Sequence, residues 1–167
     1  MEAERLIATG RHALAESRVA LDIVAEAWQA QTLAQAIGSH LAACGPMELR
    51  AEARGLSEIG GARGTVEHPA LRTGGPRAAR LTGVADARAA LTALGALLGE
   101  VGIALVGVAC ATDEEGLYWQ CIEAIDAADE AGDRVRAMLR RLAVRERERD
   151  RPPDPARGRA GPSPGPR

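Results

Sequence analysis

The sequence predicts an all-α fold: a helical bundle of about four long helices and one short one, with a C-terminal antiparallel helical hairpin and a disordered tail. Three observations carry this expectation. Apolar residues recur at helical spacings of three and four along nearly the whole of residues 2–142. The chain holds two tryptophans, one tyrosine and no phenylalanine, so its core must be Leu, Val, Ile and Ala, which suits close helix–helix packing better than a sheet. Turn-forming residues gather in few places, chiefly Gly45-Pro46, residues 61–80 and residues 151–167.

Taken in order, residues 2–16 place Leu6, Ile7, Gly10, Ala13 and Leu14 on one face of a first helix. From 18 to 44, Ile23, Ala27, Ala30, Ala34, Ile37, Leu41 and Cys44 alternate in steps of four and three, which predicts a long amphipathic helix. Gly45-Pro46 stops it. "PMELRAEARGLSEIGG" then starts a short helix with proline at its first turn and a glycine pair at its end. Residues 61–80 show no period and read as a loop.

The fourth helix carries an unbroken heptad seam: Val84, Ala87, Leu91, Leu94, Leu98, Val101, Leu105 and Val108. The fifth repeats the spacing with Tyr118, Cys121, Ile125, Ala128, Gly132, Val135, Leu139 and Leu142. Between them, Thr112 and Glu115 have the T-x-x-E spacing of a capping box. Two matched seams joined by a tight turn predict the hairpin. Leu97, Ile103 and Val106 lie off the seam, so the fourth helix is apolar nearly all round and needs cover, either at the centre of the bundle or at a subunit interface. Residues 1–150 are expected to form one domain, and 151–167, "RPPDPARGRAGPSPGPR", a disordered Pro/Gly/Arg-rich tail.

Residues 89–112 also have features of a membrane span: one charge, Glu100, a GxxxG at Gly95 and Gly99, and Tyr118-Trp119 just beyond. The transfer energies nearly cancel, because about −3 to −5 kcal/mol from the strong apolar residues meets about +2.5 to +3.5 for a central acid. The seam also continues past the charge limits, so burial in a soluble bundle is favoured and membrane association is the alternative.

Charge is uneven along the chain. Overall it is −2, but residues 1–133 carry 10 arginines and 19 acids, net −9, and residues 134–167 carry 11 arginines and 4 acids, net +7. In "DRVRAMLRRLAVRERERDR" the acids Glu146, Glu148 and Asp150 interleave with arginine and no aromatic is available to stack on bases, so no nucleic acid partner is expected. Cys44, Cys110 and Cys121 lack CxxC spacing and read as free thiols, and the acidic N-terminus shows no signal peptide, which suggests a cytoplasmic protein. The absence of lysine and the abundance of alanine and glycine fit a high-GC genome.

No catalytic, metal or cofactor constellation emerges. Histidines 12, 40 and 68 are dispersed, and Glu123, Asp126, Asp129, Glu130 and Asp133 lack the Glu-x-x-His pairs of a di-metal bundle. Arg5 and His12 resemble in spacing the R-x4-6-H motif of helical HEPN-type ribonucleases, although that motif belongs to a later helix there. Two function classes follow. The first is a non-enzymatic interaction or regulatory module, with off-seam Trp28 and Trp119 as anchors for a protein partner or for self-association as a homodimer. The second is a small-ligand binder or HEPN-like enzyme with Gln31, Gln35 and Glu100 as pocket polar groups. Residues 26–42, "EAWQAQTLAQAIGSHLA", and 91–130, "LTALGALLGEVGIALVGVACATDEEGLYWQCIEAIDAADE", resemble an uncharacterised family of small helical proteins from high-GC actinobacteria. That resemblance implies a bacterial helical bundle and no assigned activity, cofactor or catalytic residue.

Overall fold

The computed structural model describes residues 1–59 and 75–150. Among these, five α-helices follow one another: α1 Ala3–Glu16, α2 Ala20–Cys44, α3 Arg50–Glu58, α4 Ala87–Ala111 and α5 Glu115–Arg149. There is no strand among the described residues, only a single parallel bridge between Glu2 and Gly83. The predicted tail and most of the predicted loop lie outside them. The loop's last residues are not irregular throughout: Gly75 takes φ +72° and Arg77–Arg80 forms a 3-10 turn.

The long helices bury most, not all, of the residues their periods mark. α1 turns Ala3, Leu6, Ile7, Gly10 and Leu14 inward. In α2 the middle is buried on almost every side, with Trp28, Gln29, Gln31, Thr32 and Leu33 joining Ala27, Ala30, Ala34 and Ile37, while Cys44 is exposed. Its neighbours explain this: α1, α3, α4, α5 and the 3-10 turn at 77–80 all pack on α2. Gly38 lets α3 approach, since a Cβ there would stand 2.8 Å from the Ala53 carbonyl oxygen and 2.9 Å from the Ser57 nitrogen. A 3-10 turn at Met47–Leu49 leads from Pro46 into α3.

The α4 seam is buried from Leu91 to Val108, and Leu97 is buried with it, close beside Gly10 of α1. Asp86 caps α4, its side chain accepting a hydrogen bond from the Ala89 N–H at 2.9 Å. The hairpin with α5 forms, with Gly95 of α4 beside Val135 of α5. Its turn differs from the predicted capping box. Thr112 is the C-cap of α4, its Oγ1 accepts from the Glu114 N–H at 3.1 Å, and α5 begins without a side-chain cap. The threonine hydroxyl serves the turn two residues on and is not available three residues on.

The α5 seam is also displaced in one of its two columns. Cys121, Ala128, Gly132 and Val135 are buried as predicted, but Ala124, Ala131 and Met138 are buried too, with Ile125 and Leu139 only half-buried and Tyr118 exposed. The reason is that α5 rests on α2 and α3 as well as on α4, and the small alanines face that crowded side.

Arginine–carboxylate pairs fasten the outside. Arg134 and Arg141 both reach Glu52 of α3, each at 3.1 Å, and Arg145 reaches Glu48 at 3.0 Å. Gly55 leaves room for the Arg134 guanidinium, whose Cζ would lie 3.0 Å from an added Cβ. These two arginines hold the Glu52 carboxyl below its usual range, Arg134 more strongly. Glu146 does not neutralise an arginine of its own helix; it takes Arg88 of α4 at 2.8 Å instead. On the far side, Gln29 brackets the 75–77 backbone, accepting from the Arg77 N–H and donating to the Gly75 carbonyl, while the Arg77 guanidinium pairs with Glu26.

Candidate functional site

The five residues singled out in sequence do not meet in one place. Trp28 and Gln31 lie one turn apart on α2, both inside the bundle at 9% and 3% exposure. Both amide atoms of Gln31 are buried without a hydrogen-bond partner among the described residues. Gln35, one turn further, donates from Nε2 to the Ile59 carbonyl and so ties α2 to the end of α3. Glu100 faces the other way, to α1. Arg11 donates to it from Nε at 2.9 and 3.1 Å and also from Nη2, which holds the Glu100 carboxyl below its usual range. Trp119 is 55% exposed at the start of α5 and packs edge-on against Tyr118, with ring centroids 5.4 Å apart. Gln31, Gln35 and Glu100 are therefore not brought together: Gln35 is tied to Ile59 and Glu100 to Arg11 of α1. Arg5 and His12 are both exposed on α1.

Clefts open on the surface between the described helices. One of about 600 Å³ lies where α2 begins and α4 turns into α5, between Arg18, Ile23, Ala104, Gly107, Asp113 and Leu117. Another, of about 430 Å³, runs along α5 between Glu48 and Glu52 on one wall and Arg140, Arg141 and Arg145 on the other. A third, of about 460 Å³, lies between His40, Cys44, Asp86 and Arg88. In the second and third the charged walls are already paired across the helices, Arg141 with Glu52, Arg145 with Glu48 and Arg88 with Glu146. Among the described residues no three of His, Cys, Asp and Glu stand close enough to hold a metal ion. All three cysteines are free thiols, and burial pushes that of Cys121 up, away from the thiolate that nucleophilic chemistry uses.

The outstanding surface is α4 itself. Its most exposed residues are uncharged, Ala89, Thr92, Ala96, Gly99, Ile103, Val106, Gly107, Cys110 and Ala111, and its two part-exposed charges, Arg88 and Glu100, are paired with Glu146 and Arg11. Ile103 is 77% and Val106 49% exposed. A surface helix ordinarily turns charged and polar side chains to solvent, and the exposed face of the neighbouring α5 does so with Glu123, Asp126, Asp129, Glu130 and Asp133. Glu100 stands at the edge of the α4 face and is neutralised by Arg11. Gly99, Gly102 and Gly107 have nothing within 4 Å of where a Cβ would be, so the backbone is open along this face. Off-seam Ile103 and Val106 were the sequence signal for it. The small residues around them were missed, since Gly95 and Gly99 read together as a GxxxG, whereas the structure sets Gly95 against Val135 and Gly99 in the open.

α4 is also the one described helix long and apolar enough to cross a membrane, although Leu91, Leu94, Leu98, Val101 and Leu105 are in the core. No curated protein and no solved structure matches the chain. A family model does match, over residues 1–141, taking in all of α1 to α4 and most of α5. The chain belongs to that family, a family of unknown function designated DUF6099.

Proposed function

We propose that the protein is a non-enzymatic helical interaction module of the bacterial cytoplasm, and that the exposed face of α4 is its docking surface for another protein. The observation that carries this is the run of uncharged exposed residues on a 25-residue helix whose two charges, Arg88 and Glu100, are each paired within the chain. An apolar face of this length costs solvation when left bare, and such faces mark sites of association. Its composition suits a helical partner: open glycines at 99, 102 and 107 admit a second backbone closely, and Ile103 supplies an apolar knob. No set of residues offers a comparable argument for catalysis, since the polar candidates Gln31, Gln35 and Glu100 are separated.

A photo-crosslinking amino acid at position 103, expressed in host cells, tests this against the same probe at Glu130 on α5. Discrete protein adducts at 103 and none at 130 are expected. Absence of a protein adduct at 103, or flotation of the chain with lipid vesicles that depends on Ile103, would overturn the reading in favour of an idle surface or a membrane contact.

A further inference from the structure

We infer that the cleft where α2 begins and α4 turns into α5 is a binding site for a small zwitterion of the ω-amino acid class, an ammonium and a carboxylate joined by an apolar chain. At about 600 Å³ it has the size that small ligands fill. Its floor is apolar, made by Ala20 and Ile23 of α2, Ala104 and Val108 of α4 and Leu117 of α5. Glycine keeps it open, since Gly107 has nothing within 4 Å of where a Cβ would be. Of the exposed α4 residues only Gly107 and Ala111 border it, so its occupant does not depend on what docks along α4.

The charges at its mouth select the ligand. Arg18 comes from the turn between α1 and α2, and Asp113 and Glu114 from the turn between α4 and α5. All three are exposed, and none makes an ion pair among the described residues, so opposite charges line one cleft too far apart to pair with each other. The helix ends reinforce this separation. α2 starts without a side-chain cap, so its free N–H groups add positive potential beside Arg18. α4 has no basic residue in its last turn, so its terminal carbonyls add negative potential beside Asp113. α5 also starts there, and Glu115 in its first turn offsets that N-terminus. Thr112 lines the cleft as well, its Oγ1 already accepting from the Glu114 N–H. An ω-amino acid meets both signs at once: its ammonium goes to Asp113 and Glu114, its carboxylate to Arg18 and its methylenes to the floor. A short peptide with free termini carries the same charges, but its amides would lose water over an apolar floor.

A methyl NMR titration of the full chain with ε-aminocaproate tests the assignment, read at Ile23, Val108 and Leu117. Saturating shifts at these methyls with a dissociation constant of about one millimolar are expected, because the ligand is small and the cleft open. The amide of its carboxyl group and the N-acetyl derivative of its amine each lack one charge. Both should bind about two- to fivefold more weakly, as exposed ion pairs contribute little individually. Arg18→Ala should cancel the advantage over the amide and keep that over the acetyl derivative. Asp113→Asn together with Glu114→Gln should do the reverse. Ala111→Leu, at an exposed position bordering the cleft, should weaken all three compounds alike with thermal unfolding unchanged. Equal binding of the three compounds to the unaltered chain overturns the inference, as does tighter binding of trialanine, or a failure of these methyls to respond.

Discussion

Replacing Gly38 by alanine isolates how much of the fold depends on one close helix contact. The added methyl would lie 2.8 Å from the Ala53 carbonyl oxygen and 2.9 Å from the Ser57 nitrogen, both backbone atoms of α3. Ordinary contact begins near 3.4 Å, so α3 must retreat by 3.4 − 2.8, about 0.6 Å, and no flexible side chain can absorb the shift. Overpacking of this kind costs about 1–3 kcal/mol, and a rigid opposing backbone places it toward the upper end. Alanine's better helix propensity returns about 1 kcal/mol, leaving Gly38→Ala less stable by about 1–2 kcal/mol. Gly99→Ala is the control: it lies in a helix of the same 25 residues with nothing within 4 Å of its Cβ. There the propensity gain is unopposed, and stability should rise by up to about 1 kcal/mol. Urea unfolding of dilute samples, with m-values compared, measures both. Equal effects of one sign at the two positions would refute the argument.

Other perturbations follow from the same geometry. Gln31→Met keeps shape while removing two buried amide atoms that have no partner among the described residues, so it should stabilise the bundle by about 1–3 kcal/mol, seen as a higher unfolding midpoint. A loss of stability would show that the amide is satisfied in the folded protein. Acid should weaken the fold through Glu52 and Glu100. Both carboxyls are held below their ordinary value of 4.5 by arginines, so each binds its proton less readily folded than unfolded. Their contribution is complete above 4.5 and is lost as pH falls through the lower folded values. Glu52→Gln should flatten the decline of the unfolding midpoint between about pH 5 and about pH 3, and an unchanged slope would count against the Arg134 and Arg141 clasp.

Helices were legible in the sequence because their signal is local. The α4 seam is buried from Leu91 to Val108 because one period fits one helix facing one core. In α5 two columns of apolar residues flank the shared Cys121, Ala128 and Val135, and local pattern favoured the larger Ile125 and Leu139. The buried column is instead Ala124, Ala131 and Met138, chosen by the positions of α2 and α3, which no spacing along α5 encodes. Thr112 and Glu115 had the right spacing for a capping box, yet Thr112 ends α4 and its hydroxyl accepts from the Glu114 N–H instead. The candidate site was legible only in outline. An all-round apolar helix announces that it needs cover, but which side lacks cover depends on where α1 and α5 sit: Leu97 meets α1 at Gly10, and Ile103 meets nothing of its own chain that buries it. Trp28, an expected anchor, is instead inside the bundle, in the stretch of α2 that its neighbours cover on almost every side.

Methyl NMR of the isoleucine-labelled protein examines the α4 surface most directly, since Ile103 is 77% exposed on it whereas Ile7 and Ile37 are buried at 1% and 0%. Moving the labelled protein from dilute buffer into membrane-free lysate of the host sets this face against the proteins it would meet. The account predicts that the Ile103 methyl moves or broadens there more than those of Ile7 and Ile37, and that Gly107→Leu reduces the difference. An Ile103 resonance that changes no more than those of Ile7 and Ile37, or one that responds only to added lipid vesicles, would contradict protein docking through α4.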